Sequence, residues 1–217
     1  QKPKFMNIIK ASSPMIANLY ESRELETECL FGEKVEILDN IGNFDPKWFF
    51  CKLLIDNYCG WIKKSDLGQF SNLTHRVISK RSFVFKEENV KSNCTHYLPM
   101  GAQLSVIEIK NQWAEIDLSQ NDVKKNGFVP VQHIVTIENK IKDWVSVAEK
   151  LIGTPYKWGG RDTIGIDCSA LLQLSYQTHG EDIPRNTVDQ VRLNKEKITN
   201  LTKLTRGNVV FWKGHVG

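Results

Sequence analysis

The stretch IDCSALLQLSYQTHG, residues 166–180, decides how the last part of this chain folds. Asp167 is a favoured residue at the start of a helix, and the apolar run after it ends at Gly180, a typical helix end. Cys168 is therefore predicted to lie in the first turn of that helix. The positive end of the helix dipole stabilises a thiolate there, and the thiolate is the nucleophilic form of cysteine.

An imidazole beside this thiolate would complete a nucleophile–base pair. The chain has five histidines, three of them in its β-rich first part. His179 follows Cys168 on the same helix, about 16 Å away, which is too far for a hydrogen bond. His215, in the final GHVG of residues 214–217, is the remaining candidate for the base. These residues together indicate a cysteine hydrolase.

Composition excludes several other classes of protein. The hydrophobic fraction of 41% and the charged fraction of 25% are ordinary for a globular chain. The net charge of +4 comes from scattered residues, so nucleic-acid binding has little support. No apolar run approaches the ~18 residues that a membrane span needs. The cysteines form no Cys-x-x-Cys pair, so neither a metal site nor an organic cofactor is expected.

Cysteine usage and the start of the chain bear on its compartment. Five cysteines at irregular spacing favour reduced thiols in a cytoplasmic protein, and we expect Cys29, Cys51 and Cys59 to be small buried hydrophobes. The first residues lack the apolar core of a signal peptide. The alternative, a periplasmic or secreted protein whose signal peptide has been removed, stays open because the chain has no initiator Met.

A faint internal repeat divides the first part of the chain into two units. GEKVEIL (residues 32–38) is echoed by GAQLSVI (101–107), and GWI (60–62) by GFV (127–129). Trp48 is echoed in the same way by Trp113. Short alternating strands separated by turn-forming Asn, Asp and Gly predict two small closed β-barrels, at residues 1–70 and 71–137.

Residues 138–217 change to a helical period. Apolar residues fall on one face of a helix between Ile141 and Ile152, and Gly153 and Pro155 end it. The run VVFW, residues 209–212, predicts a strand that carries His215 at its end or in the adjacent turn. The expected architecture is α+β, with the Cys168 helix packed on a sheet that bears His215.

Five short motifs carry a family resemblance. They are PYKWGG (155–160), DCS (167–169), PRNTVDQ (184–190), GNVVFW (207–212) and HVG (215–217). In this order they resemble the NlpC/P60 cysteine peptidases from about Trp144 onward, with Asn208 where that family usually has Asp. The two β units resemble bacterial SH3-like (SH3b) domains, the second more distantly. The resemblance implies a papain-like catalytic domain preceded by two SH3b barrels.

The resemblance also implies roles for particular residues. The hydroxyl of Tyr156 would lie near the oxyanion of the reaction. In the subgroup with SH3b modules, Asp167 and Ser169 would help to bind the free amino group of an L-Ala residue. Tyr58 and an acid from the first module would line the same site, and either Glu26 or Glu28 fits the position of that acid.

The function implied is that of a γ-D-glutamyl-L-diamino acid endopeptidase acting on peptidoglycan-derived peptides with a free N-terminal L-Ala. Two alternatives stay open: an SH3b protein that binds wall peptides and carries a degenerate hydrolase domain, or another acyl-transfer enzyme on the same core. The family orients its base with a third polar residue, commonly a second His. We expect that residue beyond Gly217, and hence a catalytic domain that is incomplete in this chain. The oligomeric state and the preferred diamino acid are left open.

Overall fold

The first part of the chain forms a seven-stranded antiparallel sheet. The computed structural model describes residues 4–19, 24–38, 45–70, 72–120, 123–193 and 197–217. The strands of the first sheet are β1 (Lys4–Ile8), β2 (Ser12–Ile16), β3 (Leu25–Leu30), β4 (Lys34–Ile37), β5 (Trp48–Leu53), β6 (Cys59–Lys63) and β7 (Leu67–Gly68). Their hydrogen-bonded order is β3-β2-β6-β5-β4-β1-β7. Alternate residues of these strands bury a core that includes Ile8, Met15, Val35, Leu53 and Ile62.

The second part forms two smaller sheets around a separate core. Its strands are β8 (His75–Val77), β9 (Arg81–Phe85), β10 (Cys94–Pro99), β11 (Gln103–Leu104), β12 (Val106–Lys110), β13 (Trp113–Asp117), β14 (Asn126–Pro130) and β15 (Ile134–Thr136). They pair in the orders β10-β9-β14-β13-β12 and β11-β8-β15. Phe31 of the first part packs into this second core beside Val77 and Leu104, so the two β modules share side chains.

The repeat seen in the sequence is also a repeat in the structure. Gly32 and Gly101 both adopt a left-handed backbone, with φ of 82° and 88°, which only glycine adopts without strain. Gly60 and Gly127 both face close neighbours, and a Cβ at either position would lie 2.4 Å from a side-chain carbon. The two units therefore place the same backbone and packing requirements on the glycines that the repeat pairs.

The two outermost strands of the first sheet are β3 and β7. In the described part of the chain, β3 and β7, at the two ends of the sheet, are not paired with each other. The outer edge of β3 instead meets the later strand β16 (Arg161–Asp162). There the Arg161 N–H donates to Glu28 Oε2 at 3.0 Å, and Arg161 Nη1 donates to the Glu28 carbonyl at 2.8 Å. An exposed strand edge needs partners for its backbone groups, and the third part of the chain supplies one here.

The third part is helical where the sequence changes period. It contains α1 (Trp144–Lys150), α2 (Cys168–His179) and α3 (Thr187–Gln190), with the short hairpins β16–β17 (Gly165–Ile166) and β18 (Phe211–Trp212)–β19 (His215–Val216). The first helix begins later than predicted because the Asp143 carboxylate accepts from the N–H groups of Val145 and Ser146. The α+β class is confirmed.

Two predictions about single strands and side chains need correction. The strand predicted at residues 209–212 begins only at Phe211, although Val210 still exchanges backbone hydrogen bonds with Gly217. Cys59 is exposed rather than buried, whereas Cys29 and Cys51 are buried as expected. Alternation along β6 places the Cys59 side chain on the face opposite to Ile62, which lies in the core of the first module. The domain boundaries near residues 70 and 137 remain predictions.

All three parts of the chain meet in one further core. It joins Leu30 of β3 and Met100 of the second module to side chains of α1 and α2, among them Val147, Ala170 and Leu174. This shared core fixes the nucleophile helix α2 against the first module.

Candidate active site

Helix α2 begins as the sequence predicted. Asp167 is its N-cap, and its Oδ1 accepts from the Ala170 N–H at 2.8 Å. Gly180 ends the helix in a left-handed conformation, with φ of 88°. Cys168 is the first helical residue, partly exposed, so its thiol lies at the positive end of a 12-residue helix.

The Asp167 carboxylate is held by Arg185. Nη2 of Arg185 lies 2.6 Å from Oδ2 and Nη1 lies 3.0 Å from Oδ1, while the Gly159 N–H also donates to Oδ2. Arg185 Nη1 donates to Ser169 Oγ at 2.8 Å as well. The predicted binding of an ammonium by Asp167 and Ser169 stays a prediction, and both buried side chains would have to exchange a present partner to fulfil it.

Tyr156 lies beside the start of α2. Backbone hydrogen bonds hold its loop to β17, since the Lys157 N–H donates to the Ile166 carbonyl and the Ile166 N–H donates to the Pro155 carbonyl. Partial burial, followed by the charges of Cys168 and Asp167, raises the pKa of the Tyr156 hydroxyl. The phenol therefore keeps its proton at neutral pH and is able to donate a hydrogen bond near Cys168.

The segment 184–190 wraps around the first turn of α2. Thr187 Oγ1 lies 4.0 Å from Cys168 Sγ. The Gln190 side-chain amide donates to the carbonyls of Ser169 at 2.9 Å and Pro184 at 2.8 Å. The motif PRNTVDQ was recognised in the sequence, but no role was predicted for its residues. Its polar side chains are what fasten the segment to the nucleophile turn.

A polar cluster closes one side of the site. Glu26 and Tyr58 come from the first module, and Asn186 comes from the 184–190 segment. The Tyr58 hydroxyl donates to Glu26 Oε2 at 2.6 Å. Burial, followed by this hydrogen bond, raises the pKa of Tyr58 to about 12, although the Asn186 side chain and the charge of Arg185 act in the opposite direction. We call this group the Glu26 cluster. It adjoins the Arg185–Asp167 pair, and Asn186 directly precedes Thr187.

Glu28 has a different environment from Glu26. It is buried, forms an ion pair with Lys157 and accepts from the Arg161 N–H. The next residues of the same network are Arg161 and Glu33, whose fully buried ion pair has Nη2 2.8 Å from Oε1. Of the two acids that the sequence could not separate, Glu26 lies beside Tyr58, while Glu28 supports the loop after Tyr156.

His215 is exposed and, among the described residues, forms no hydrogen bond with Cys168. Strand β19 packs on α2 through Val216, which lines an apolar cavity of about 200 Å³ together with Cys168, Trp144 and Leu171. Neighbouring residues of a strand point to opposite faces, and the His215 side chain is exposed with its ring 5.7 Å from the ring of Trp212. The role of His215 as the base therefore stays a prediction.

The remaining four histidines have other partners. His179, at the far end of α2, has Nδ1 2.7 Å from the Ile141 carbonyl. His75, His96 and His133 lie in the second module, each with Nδ1 within 3.0 Å of a Thr or Ser hydroxyl. Because all five histidines lie in the described ranges, His215 is the one histidine on an element that packs against α2 near Cys168.

Two negative findings apply to the described ranges. No helix there is both long and apolar enough to cross a membrane. No group of three or more His, Cys, Asp or Glu side chains in those ranges is arranged to hold a metal ion.

Sequence profiles of known families match two parts of this chain. The profile of the NlpC/P60 family matches residues 153–217. The chain contains an NlpC/P60 domain. The profile of the bacterial dipeptidyl-peptidase SH3 domain matches residues 21–67, so the NlpC/P60 domain follows an SH3 domain of the type found in those enzymes.

Several known proteins are similar to this chain over most of its length. The chain is 26% identical to "Dipeptidyl-peptidase 6" of Lysinibacillus sphaericus over 93% of its own length and 80% of that protein. It is 24% identical to "Gamma-D-glutamyl-L-lysine dipeptidyl-peptidase" of Bacillus subtilis over 87% of its own length and 64% of that protein, slightly less than two thirds. The crystal structure of an NlpC/P60 family protein from Bacillus cereus matches 99% of this chain and 86% of its own, with a TM-score of 0.78 at 16% identity, and thus shows the same fold. The NlpC/P60 match and these relatives support a peptide hydrolase.

Proposed function

We propose that this chain is a cysteine endopeptidase that hydrolyses the bond between γ-D-Glu and a diamino acid in peptidoglycan-derived peptides with a free N-terminal L-Ala. The names of its relatives support a peptidase of this class. The position of Cys168 at the start of α2, beside Tyr156, supports a thiolate nucleophile with a nearby hydrogen-bond donor.

The Glu26 cluster is the observation that carries the proposal. An enzyme that removes two residues must recognise the free amino end, and an ammonium needs an anionic or oxygen-rich partner. Glu26, oriented by the Tyr58 hydroxyl at 2.6 Å, offers such a carboxylate. Arg185 already neutralises Asp167, so we assign the ammonium to Glu26 first, with Tyr58 and Asn186 beside it.

The proposed reaction uses a covalent intermediate. His215 takes the thiol proton of Cys168, and the thiolate attacks the γ-glutamyl carbonyl carbon. Tyr156 and the Cys168 N–H donate to the resulting oxyanion. Protonated His215 gives its proton to the leaving amine of the diamino acid, and water then hydrolyses the thioester. The hairpin that carries His215 must bring its imidazole to the sulfur for the first step.

Digestion of L-Ala-γ-D-Glu-L-Lys and of its meso-diaminopimelate analogue, followed by mass spectrometry, tests this proposal. The expected products are L-Ala-γ-D-Glu and the free diamino acid, with N-acetylation of the L-Ala strongly lowering the rate of cleavage. Cleavage of the free and the N-acetylated peptides at equal rate would contradict the role of the free amine. An intact peptide that nonetheless binds would favour a wall-peptide-binding protein with a degenerate hydrolase domain.

A further inference from the structure

Thr187 occupies a distinctive position at the nucleophile. Its hydroxyl oxygen lies 4.0 Å from Cys168 Sγ and has no other polar partner among the described residues. The residue opens the one-turn helix α3, and its half-buried side chain faces the first turn of α2. Gln190, at the other end of α3, fixes the distance between the two helices through its hydrogen bonds to the Ser169 and Pro184 carbonyls.

We propose that Thr187 is a positioning residue whose hydroxyl donates a hydrogen bond to the Cys168 thiolate. A neutral thiol attracts a hydroxyl weakly, whereas an ionised acceptor makes the bond shorter and stronger. Catalytic hydrogen bonds are often long before the reactive charge forms and tighten once it does. The 4.0 Å separation thus suits a donor that engages when the proton leaves the sulfur.

The charged surroundings leave this task to a neutral donor. Asp167 and Arg185, on either side of the Cys168 turn, neutralise each other in a buried ion pair. Asp189 of α3 pairs with Arg192 at 3.1 Å. Tyr156 approaches from the loop before β16, and His215 lies on β19, exposed. No unpaired cation among these described groups contacts the sulfur, so the helix dipole and the hydroxyls of Tyr156 and Thr187 remain as stabilisers of its charge.

The test measures thiol reactivity and does not depend on any peptide substrate, although the inference rests on the proposed role of Cys168. The rate of alkylation of Cys168 by iodoacetamide is followed between pH 5 and pH 10 in the wild type and in Thr187→Val, which keeps the side-chain shape. Peptide mass spectrometry isolates the signal, because the tryptic peptide of residues 162–185 contains Cys168 and no other cysteine.

A hydrogen bond to a charged group is typically worth 1.5–3 kcal/mol, so Thr187→Val should move the midpoint of the alkylation profile upward by about one pH unit or more. Thr187→Ser, which retains the hydroxyl, should restore the wild-type profile. Val188→Ala, on the same helix turn with an exposed side chain, should leave it unchanged.

An unshifted profile in a Thr187→Val protein with a wild-type circular dichroism spectrum would overturn the inference. Equal shifts in Thr187→Val and Val188→Ala would also overturn it, since α3 packing would then be the cause. If neither the wild type nor any variant cleaves the tripeptide but the Thr187→Val alkylation profile shifts, the proposed peptide substrate is wrong and the positioning role stands.

Discussion

Arg185 Nη2 lies 2.6 Å from Asp167 Oδ2, and both side chains are almost completely buried. Arg185 Nε also donates to Thr27 Oγ1 at 2.7 Å, which brings strand β3 of the first module into the same network. Asp167 in turn caps the helix that begins with Cys168. One guanidinium therefore connects the first module, the 184–190 segment and the nucleophile turn.

We expect Arg185→Met to destabilise the protein severely. Removing one partner of a buried pair leaves an uncompensated charge, here on the N-cap of α2, and typically costs about 3–5 kcal/mol. Urea unfolding measures the loss. Arg192→Met is the matched control, because its pair with Asp189 is largely exposed and should contribute less than about 1 kcal/mol. Similar losses in the free energy of unfolding in the two variants would show that the buried pair contributes no more to stability than the exposed pair.

Cys168→Ala should abolish hydrolysis while leaving the fold intact. The thiol is partly exposed, and its polar contacts are with the hydroxyls of Thr187, at 4.0 Å, and Tyr156, so its removal disturbs little packing. Loss of a nucleophile commonly lowers kcat by a factor of ~10³ or more. Progress curves with the tripeptide give the rate, and Cys94→Ala, at an exposed cysteine of the second module, controls for the loss of a thiol. A rate for Cys168→Ala within a few-fold of wild type would exclude Cys168 as the nucleophile.

Local sequence signals predicted much of this arrangement. The N-cap Asp167 and the terminating Gly180 bound α2 as expected, because both act within a few residues of the chain. The internal repeat paired Gly32 with Gly101, and both adopt the same left-handed backbone conformation. The position of Tyr156 near Cys168 came from the family resemblance rather than from spacing.

The missed features depend on residues that are distant in sequence. Arg185 contacts Thr27 and Asp167, which are distant from it in sequence, and no periodic sequence pattern predicts such contacts. Glu26 and Glu28 could not be distinguished from the sequence because alternation along β3 places both on the same face of the strand. What distinguishes them is a contact with a distant residue, Tyr58 for Glu26 and Arg161 for Glu28. The contact of Arg161 with the outer edge of β3 was missed because no local pattern around residue 161 indicates a partner 133 positions earlier in the chain.

The Tyr58 hydroxyl should titrate near pH 12 rather than near 10, the usual value for tyrosine. Burial and the hydrogen bond to Glu26 favour the protonated form in the folded state. The stability that this proton confers is complete below pH 10 and is lost as pH rises from 10 to about 12. Phenolate absorbance at 295 nm of the wild type minus Tyr58→Phe isolates this group, and Glu26→Gln should lower its midpoint. A difference spectrum with a midpoint of 10 would show that the Glu26–Tyr58 contact is absent in solution.

Glu26→Gln should weaken selection for a free amino end. The substitution keeps a hydrogen-bond acceptor beside Tyr58 but removes the charge that we propose binds the L-Ala ammonium. Because charge-assisted hydrogen bonds contribute about 1.5–3 kcal/mol, kcat/KM for the free tripeptide should fall by roughly 10- to 100-fold. Hydrolysis of the N-acetylated tripeptide should not fall, so the ratio of the two rates moves toward one.

The control for this change is Glu24→Gln, which removes an exposed charge just before β3 and alters the net charge equally. Its kcat/KM ratio for free over acetylated peptide should match that of the wild type. An equal fall for both substrates in Glu26→Gln would indicate that Glu26 only supports Tyr58 and the wall of the cleft. Unchanged selectivity in Glu26→Gln, with selectivity lost in a folded Asp167→Asn protein, would return the ammonium to Asp167, where the sequence resemblance first placed it.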